Sequence, residues 1–308
     1  IIGCWMTMQD LTENELFRDA KDRIIMVVEQ IRSAGSIAIF ATADLDSIVS
    51  LAFLESAMMD AKIPYSRKVL NSTQDQPKGQ DYSFNSTAQL VISIEQYEDT
   101  WCHSEVDDQG RLRIVPLSIS VTHPNSDKQH NGAIDVVIQS AAIAALIAPN
   151  GTRVRRLRSI SGSGQWLRTS LDHSYDPVYT KLRDLLQDEG SIRLVPLPEV
   201  ESPITSMIQD FPESILKRLI KRWGKMDFEQ RKQAMSELSL PTLSAKNLST
   251  PRLEELLWFR ILIGDEPLDL HSQIHIAKSE WPSEEKARKD HAREVLNSLI
   301  STGKFCYS

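Results

Sequence analysis

Apolar residues recur along this chain in two alternating rhythms. Leu16, Phe17, Ala20, Ile24, Val27, Val28 and Ile31 fall at helical spacing behind "TENE", which reads as a capping box with Thr12 at the N-cap and Glu15 at N3; Gly35 ends the run. Ile37 to Ala41 is a short uninterrupted apolar stretch and predicts a buried strand. A helical pattern follows over about Ser47 to Ala61 and stops before Pro64. "YSRKVL", residues 65–70, alternates and predicts a second strand, and the polar, Pro- and Gly-bearing stretch 71–87 predicts a loop. Leu90 to Ile94 and Ile114 to Val121 read as a third and a fourth strand, Ile134 to Ala148 as an apolar helix, and "RVRRLRSISGSG" as a fifth strand running into a glycine-rich turn. Strands alternating with helices imply right-handed crossovers and a parallel sheet covered on both faces.

The rhythm then changes. Asp176-Pro177 opens a helix with proline at its first position, and Gly190 closes it. An extended, proline-bearing stretch precedes helical patterns over Pro212 to Trp223, Asp227 to Leu238, Pro251 to Ile263 and Ser283 to Ile300. The expected organisation is an α/β domain with a parallel sheet of about five strands over residues 1–185. A mainly helical C-terminal region follows over 186–308. The first residue is Ile1, which is what a piece of a longer chain would show.

Composition narrows the function classes. With 41% apolar and 25% charged residues the chain reads as globular and water-soluble. A net charge of −7 excludes a general nucleic-acid footprint, so any contact with DNA needs a local basic patch. No apolar run approaches the roughly 20 residues of a membrane span. Cys4, Cys102 and Cys306 are scattered, odd in number and form no C-x-x-C pair, which fits a cytoplasmic protein better than a disulfide scaffold or a structural zinc site.

Candidate chemistry concentrates where the first strand ends. In "IAIFATADLDSIVSLAF", Asp44 and Asp46 follow the C-terminal end of a strand, where open parallel sheets bind ligands. Two short carboxylates there suit magnesium or manganese. They equally suit a plain turn in which Asp46 caps the next helix and its partner is solvated.

The stretch from Ile37 to Leu70 resembles the first motif of the DHH phosphoesterase superfamily, closest to its archaeal RecJ-like members, which include the GINS-associated nuclease. That motif runs strand, H-x-D-x-D-G, helix and a second strand. Asp44 and Asp46 match its aspartates, while Thr42 holds the histidine position and Ser47 the glycine position. "LVISIEQ" resembles the second motif, with Glu95 at its aspartate. "GAIDVVIQSAAIAALIA" resembles the small-residue-rich helix beyond the third motif. "SISGSGQW" resembles the turn whose acidic position here is Gln165, and "SIRLVPLPEV" the stretch leaving the catalytic domain. The D-H-H triplet is absent; "SVTHPN" puts Val121, Thr122 and His123 nearest its place. The glycine-rich motif of the family's C-terminal domain is absent as well.

In that family these positions hold manganese and activate water for phosphodiester attack. A two-metal centre needs several anionic ligands. The resemblance therefore implies a degenerate member: Asp44, Asp46, Glu95 and His123 as a vestigial ligand set, and either no cofactor or weakly held manganese or magnesium. It also implies a scaffold role in DNA replication or repair, with replication proteins such as GINS, and single-stranded DNA, as partners. The family also contains a eukaryotic RecJ relative that joins GINS and the MCM ring with eroded ligands. The alternatives are an active manganese-dependent single-strand exonuclease and a module binding a small anion or nucleotide at "SGSG".

Two basic stretches are candidates for nucleic-acid contact. Arg153, Arg155, Arg156 and Arg158 offer phosphate-binding guanidiniums, or simply a solvated edge strand. In "LKRLIKRWGK", Lys217 and Lys221 accompany Trp223 on an amphipathic helix, suited to charge plus stacking or to a solvated face over a core tryptophan.

Overall fold

The computed structural model describes residues 12–75, 83–96, 111–122, 128–168, 170–173, 175–244 and 248–305. Cys4, Cys102, Cys306 and His123 lie outside them. The elements run α1 (Lys21–Ser33), β1 (Ile37–Thr42), α2 (Leu45–Ala61), β2 (Tyr65–Leu70), β3 (Leu90–Ile94), β4 (Arg111–Ile114), β5 (Leu117–Thr122), β6 (Gln129–Ile134), α3 (Val136–Ile147), α4 (Thr152–Leu157), α5 (Ser163–Leu167), α6 (Ser170–His173) and α7 (Pro177–Asp188). They continue β7 (Arg193–Val195), α8 (Glu213–Trp223), α9 (Phe228–Ser239), α10 (Thr250–Trp258), β8 (Arg260–Leu262), α11 (Leu270–Ser279) and α12 (Glu285–Thr302).

The chain forms two compact units. The first holds residues 1–167, 177–184 and 277–308, and the second holds 168–176 and 185–276. In the first, a four-stranded sheet has the order β2-β1-β3-β4, with every pair parallel. β1 is buried at all six positions, as a central parallel strand must be. α2 is apolar on nearly every side and buried from Leu45 to Met58 except at Asp46. It packs on the sheet and on α3, α4 and α12. Small residues let α2 and α3 approach closely: Ser50 Oγ donates to the Val136 carbonyl (3.0 Å) and meets Ser140 Oγ. β5 and β6 form an antiparallel hairpin outside the sheet. The second unit is mainly helical, with the short antiparallel pair β7–β8.

The expected α/β architecture with a mainly helical second part is present. Several local expectations are corrected. Arg153–Leu157 is not a strand: α4 is a helix that places Val154 and Leu157, three residues apart, on one buried face. Its first N–H groups are capped from a distance. Asp60 Oδ2 accepts from Arg153 N (2.9 Å) and Val154 N (3.3 Å), where a Cβ on Gly151 would clash with that carboxylate. The run Ile114 to Val121 is broken between β4 and β5, at Pro116. Thr12 does not cap α1; Asn14 instead caps a 3-10 turn over Glu15–Phe17, and α1 starts later. The pattern over Pro251 to Ile263 splits into α10 and β8.

Candidate functional site

The crossover from β1 to α2 brings Asp44 to the sheet's C-terminal end. Asp44 has extended backbone (φ −113°, ψ 146°), and its carbonyl accepts from Ile48 N, so it is the N-cap of α2 by position. Its carboxylate turns away from the helix. Oδ1 accepts from the Ser72 hydroxyl and Oδ2 from Thr73 N (2.9 Å), which clasps the segment after β2. The capping role expected of Asp46 is therefore not observed: Asp46 lies within the first turn of α2 and accepts from Ser47 N at 3.1 Å.

Asp46 is half-buried. Its pKa is raised to about 7, chiefly because it is removed from water, and further by the neighbouring Asp44 and Asp135 carboxylates. Asp135, missed in the sequence, follows β6 as Asp44 follows β1. It caps α3, with Oδ1 accepting from Val137 N (2.6 Å) and Ile138 N (3.1 Å). The strand–Asp–helix order around it was the available signal. Gly164 sits against this carboxylate, where a Cβ would lie 2.3 Å from Oδ1.

Glu95, in the position of the second motif's aspartate, is consumed by the protein. β3 and β4 place Ser93 opposite Arg113. The Arg113 guanidinium grips the buried Glu95 carboxylate, with Nε 3.1 Å from both oxygens and an Nη2 bond to Oε2. Ser93 Oγ donates to Oε1 at 2.6 Å. The substituted family positions also satisfy one another. Thr42 Oγ1 and Ser47 Oγ, both buried, are 2.9 Å apart, and Gln96 Nε2 donates to Ser47 Oγ. Gln165, fully buried, donates to the Ala133 carbonyl.

This donor set does not fit the dinuclear manganese centre that the motifs imply. A cation beside Glu95 would meet the Arg113 guanidinium, which already engages both carboxylate oxygens, and at Asp44 each oxygen already accepts one hydrogen bond. Among the described residues, no group of three or more His, Cys, Asp or Glu is placed to hold a metal ion. The glycine-rich turn is no phosphate cradle either. Ser161 and Ser163 are fully buried, and Gly164 faces the Asp135 carboxylate, which would repel an anion.

The predicted nucleic-acid residues are divided between the two units, the arginines on and just after α4 in the first and the lysines on α8 in the second. Arg153 pairs with Asp60 (2.8 Å), Arg155 donates to Asn150 Oδ1 (2.6 Å), Arg156 donates to the Ser301 carbonyl, and Arg158 is buried. Lys217 and Lys221 are exposed on α8, Lys217 lying 3.8 Å from Glu213. Trp223 cannot stack on bases. It is 5% exposed, its Nε1 donates to Glu199 (2.8 Å), and the Arg231 guanidinium lies 5.0 Å from its ring centre. No helix among the described residues is long and apolar enough to cross a membrane.

No protein-family model matches the chain, and no curated protein matches it. Among solved structures it is similar to the crystal structure of CDC45 from Entamoeba histolytica, at a TM-score of 0.49 and 11% identity, over 92% of this chain and 68% of that one.

Proposed function

We propose that this chain is a degenerate RecJ-like DHH protein serving as a non-catalytic scaffold in DNA replication or repair, with replication proteins such as GINS as its partners. The observation that carries the reading is the ion pair between Glu95 and Arg113. A metal-ligand position filled by a carboxylate that an arginine already neutralises is a structural joint. The clasp of Asp44 on Ser72 and Thr73 and the bond between Thr42 and Ser47 support the same reading. Charged and polar groups that once would face a substrate now tie β1, β3, β4 and α2 together.

The test is degradation of end-labelled single-stranded DNA with manganese. It compares the native chain with Asp44→Ala plus Asp46→Ala, both checked for folding by circular dichroism. The expected result is no manganese-dependent cleavage by either. Cleavage by the native chain that the double variant lacks would establish the exonuclease reading instead. Titration of the native chain with purified GINS then tests the partner.

A further inference from the structure

The second unit carries an open groove that none of the chemistry above uses. α8 and α9 are joined through Gly224–Asp227 and enclose a groove of about 360 Å³. Ile215, Arg218, Leu219 and Arg222 line it from α8, and Gln230, Gln233, Ala234 and Glu237 from α9. Each set falls at i, i+3, i+4 and i+7, so each helix turns one face toward a common gap. A third helix fills such a gap in a helical bundle, and a partner's amphipathic helix fills it in helix-in-groove recognition.

The charges select the occupant. Lys217, Arg218, Lys221, Arg222 and Lys225 follow one another with no carboxylate between Ser214 and Met226. Arg218 and Arg222, one turn apart on the groove wall, have no ionic partner among the described residues. Apolar contacts come from Ile215, Leu219, Met226 and Ala234. Phe228, 75% exposed, begins α9, and Leu240 and Leu243, 63% and 57% exposed, follow its end. We infer that the α8–α9 groove docks an acidic amphipathic helix of a partner protein, its apolar stripe entering between the helices and its carboxylates meeting Arg218 and Arg222. Single-stranded DNA fits the same groove poorly. Its stacking partner Trp223 is committed elsewhere, and the groove lining among the described residues holds no aromatic ring on which a base could stack.

The inference rests on the scaffold reading for the existence of a partner. Its test reads peptide binding, so it fails or stands separately from the cleavage assay. The probe is a fluorescein-labelled helical peptide of about 16 residues, with leucines at i, i+3, i+4 and i+7 flanked by glutamates. Binding to the full chain is followed by anisotropy. The acidic peptide should bind, and Arg218→Glu plus Arg222→Glu should weaken it about tenfold or more. A lysine-for-glutamate version should reverse that preference. Ala234→Trp, which fills the groove from a half-exposed position, should abolish binding while the thermal melt stays unchanged. Failure of the acidic peptide to bind overturns the inference, as does equal binding to the charge-reversed chain. So does displacement of the peptide by a single-stranded oligonucleotide at lower concentration. A concentration-dependent dimer lost in Ala234→Trp would also overturn it, by assigning the groove to a second copy.

Discussion

The end of the sheet and the α8–α9 hairpin are both rich in charge, and they dispose of it in opposite ways. At the sheet end the charged groups turn inward: Asp44 to Ser72 and Thr73, and Glu95 to Arg113. On α8 the cations turn outward, and Arg218 and Arg222 meet no acid among the described residues. If the proposed reading holds, position at the carboxyl edge of a parallel sheet, the usual place for ligands, is a poor guide to where this chain binds. What separates a joint from a recognition surface is whether the charge already has an internal partner.

The contrast breaks most sharply at Arg113. Arg113→Ala leaves the Glu95 carboxylate buried with Ser93 as its one remaining side-chain partner among the described residues, and should cost about 3 kcal/mol of stability in urea unfolding. Adding Glu95→Met should recover most of that loss, because the stranded charge is gone. Full activity of a manganese centre in the single variant would break the comparison altogether.

Asp46 sharpens it with a pH signature. Its folded pKa of about 7 lies above the unfolded value of 3.8. The associated stability is fully present below pH 3.8 and is lost as pH rises through about 7. Asp46→Asn carries no such loss. The variant should match the native chain near pH 4 and exceed it by about 2 kcal/mol at pH 8, half-burial reducing the full linkage value. Equal stability at both pH values would mean that Asp46 sees ordinary solvent.

The smallest effect is expected on the hairpin. Arg218→Ala plus Arg222→Ala should change stability by no more than about 0.5 kcal/mol, since these exposed side chains have no ionic partner among the described residues. A larger loss would make them joints as well.

The elements that could be read in advance were those decided locally. β2 and β3 have the limits read for them between Pro64 and the polar loops that flank them, although neither strand alternates in burial. α4 was misread because Arg-Val-Arg-Arg-Leu-Arg fits either period and its cap, Asp60, is supplied from 93 residues away. The candidate site divides in the same way. Asp44 and Asp46 stand out because they are close in sequence. Arg113 does not, since its meeting with Glu95 exists only through the register of β3 on β4. The mutual bond of Thr42 and Ser47 needed the turn of α2 to become visible.

The first unit is discontinuous along the chain. α12 packs against α2, α4 and β2. Around it, Trp281 Nε1 donates to the Ala43 carbonyl (3.0 Å), Arg288 pairs with Asp75 (2.6 Å), and Asn297 accepts from Arg67 (3.0 Å). During synthesis, a strand that begins at Ile37 waits for a helix that ends at Thr302. Until that helix leaves the ribosome, the face of α2 that packs on α12 lacks its final cover. Closure of the sheet unit is therefore a long-range event that is complete only once α12 has been made.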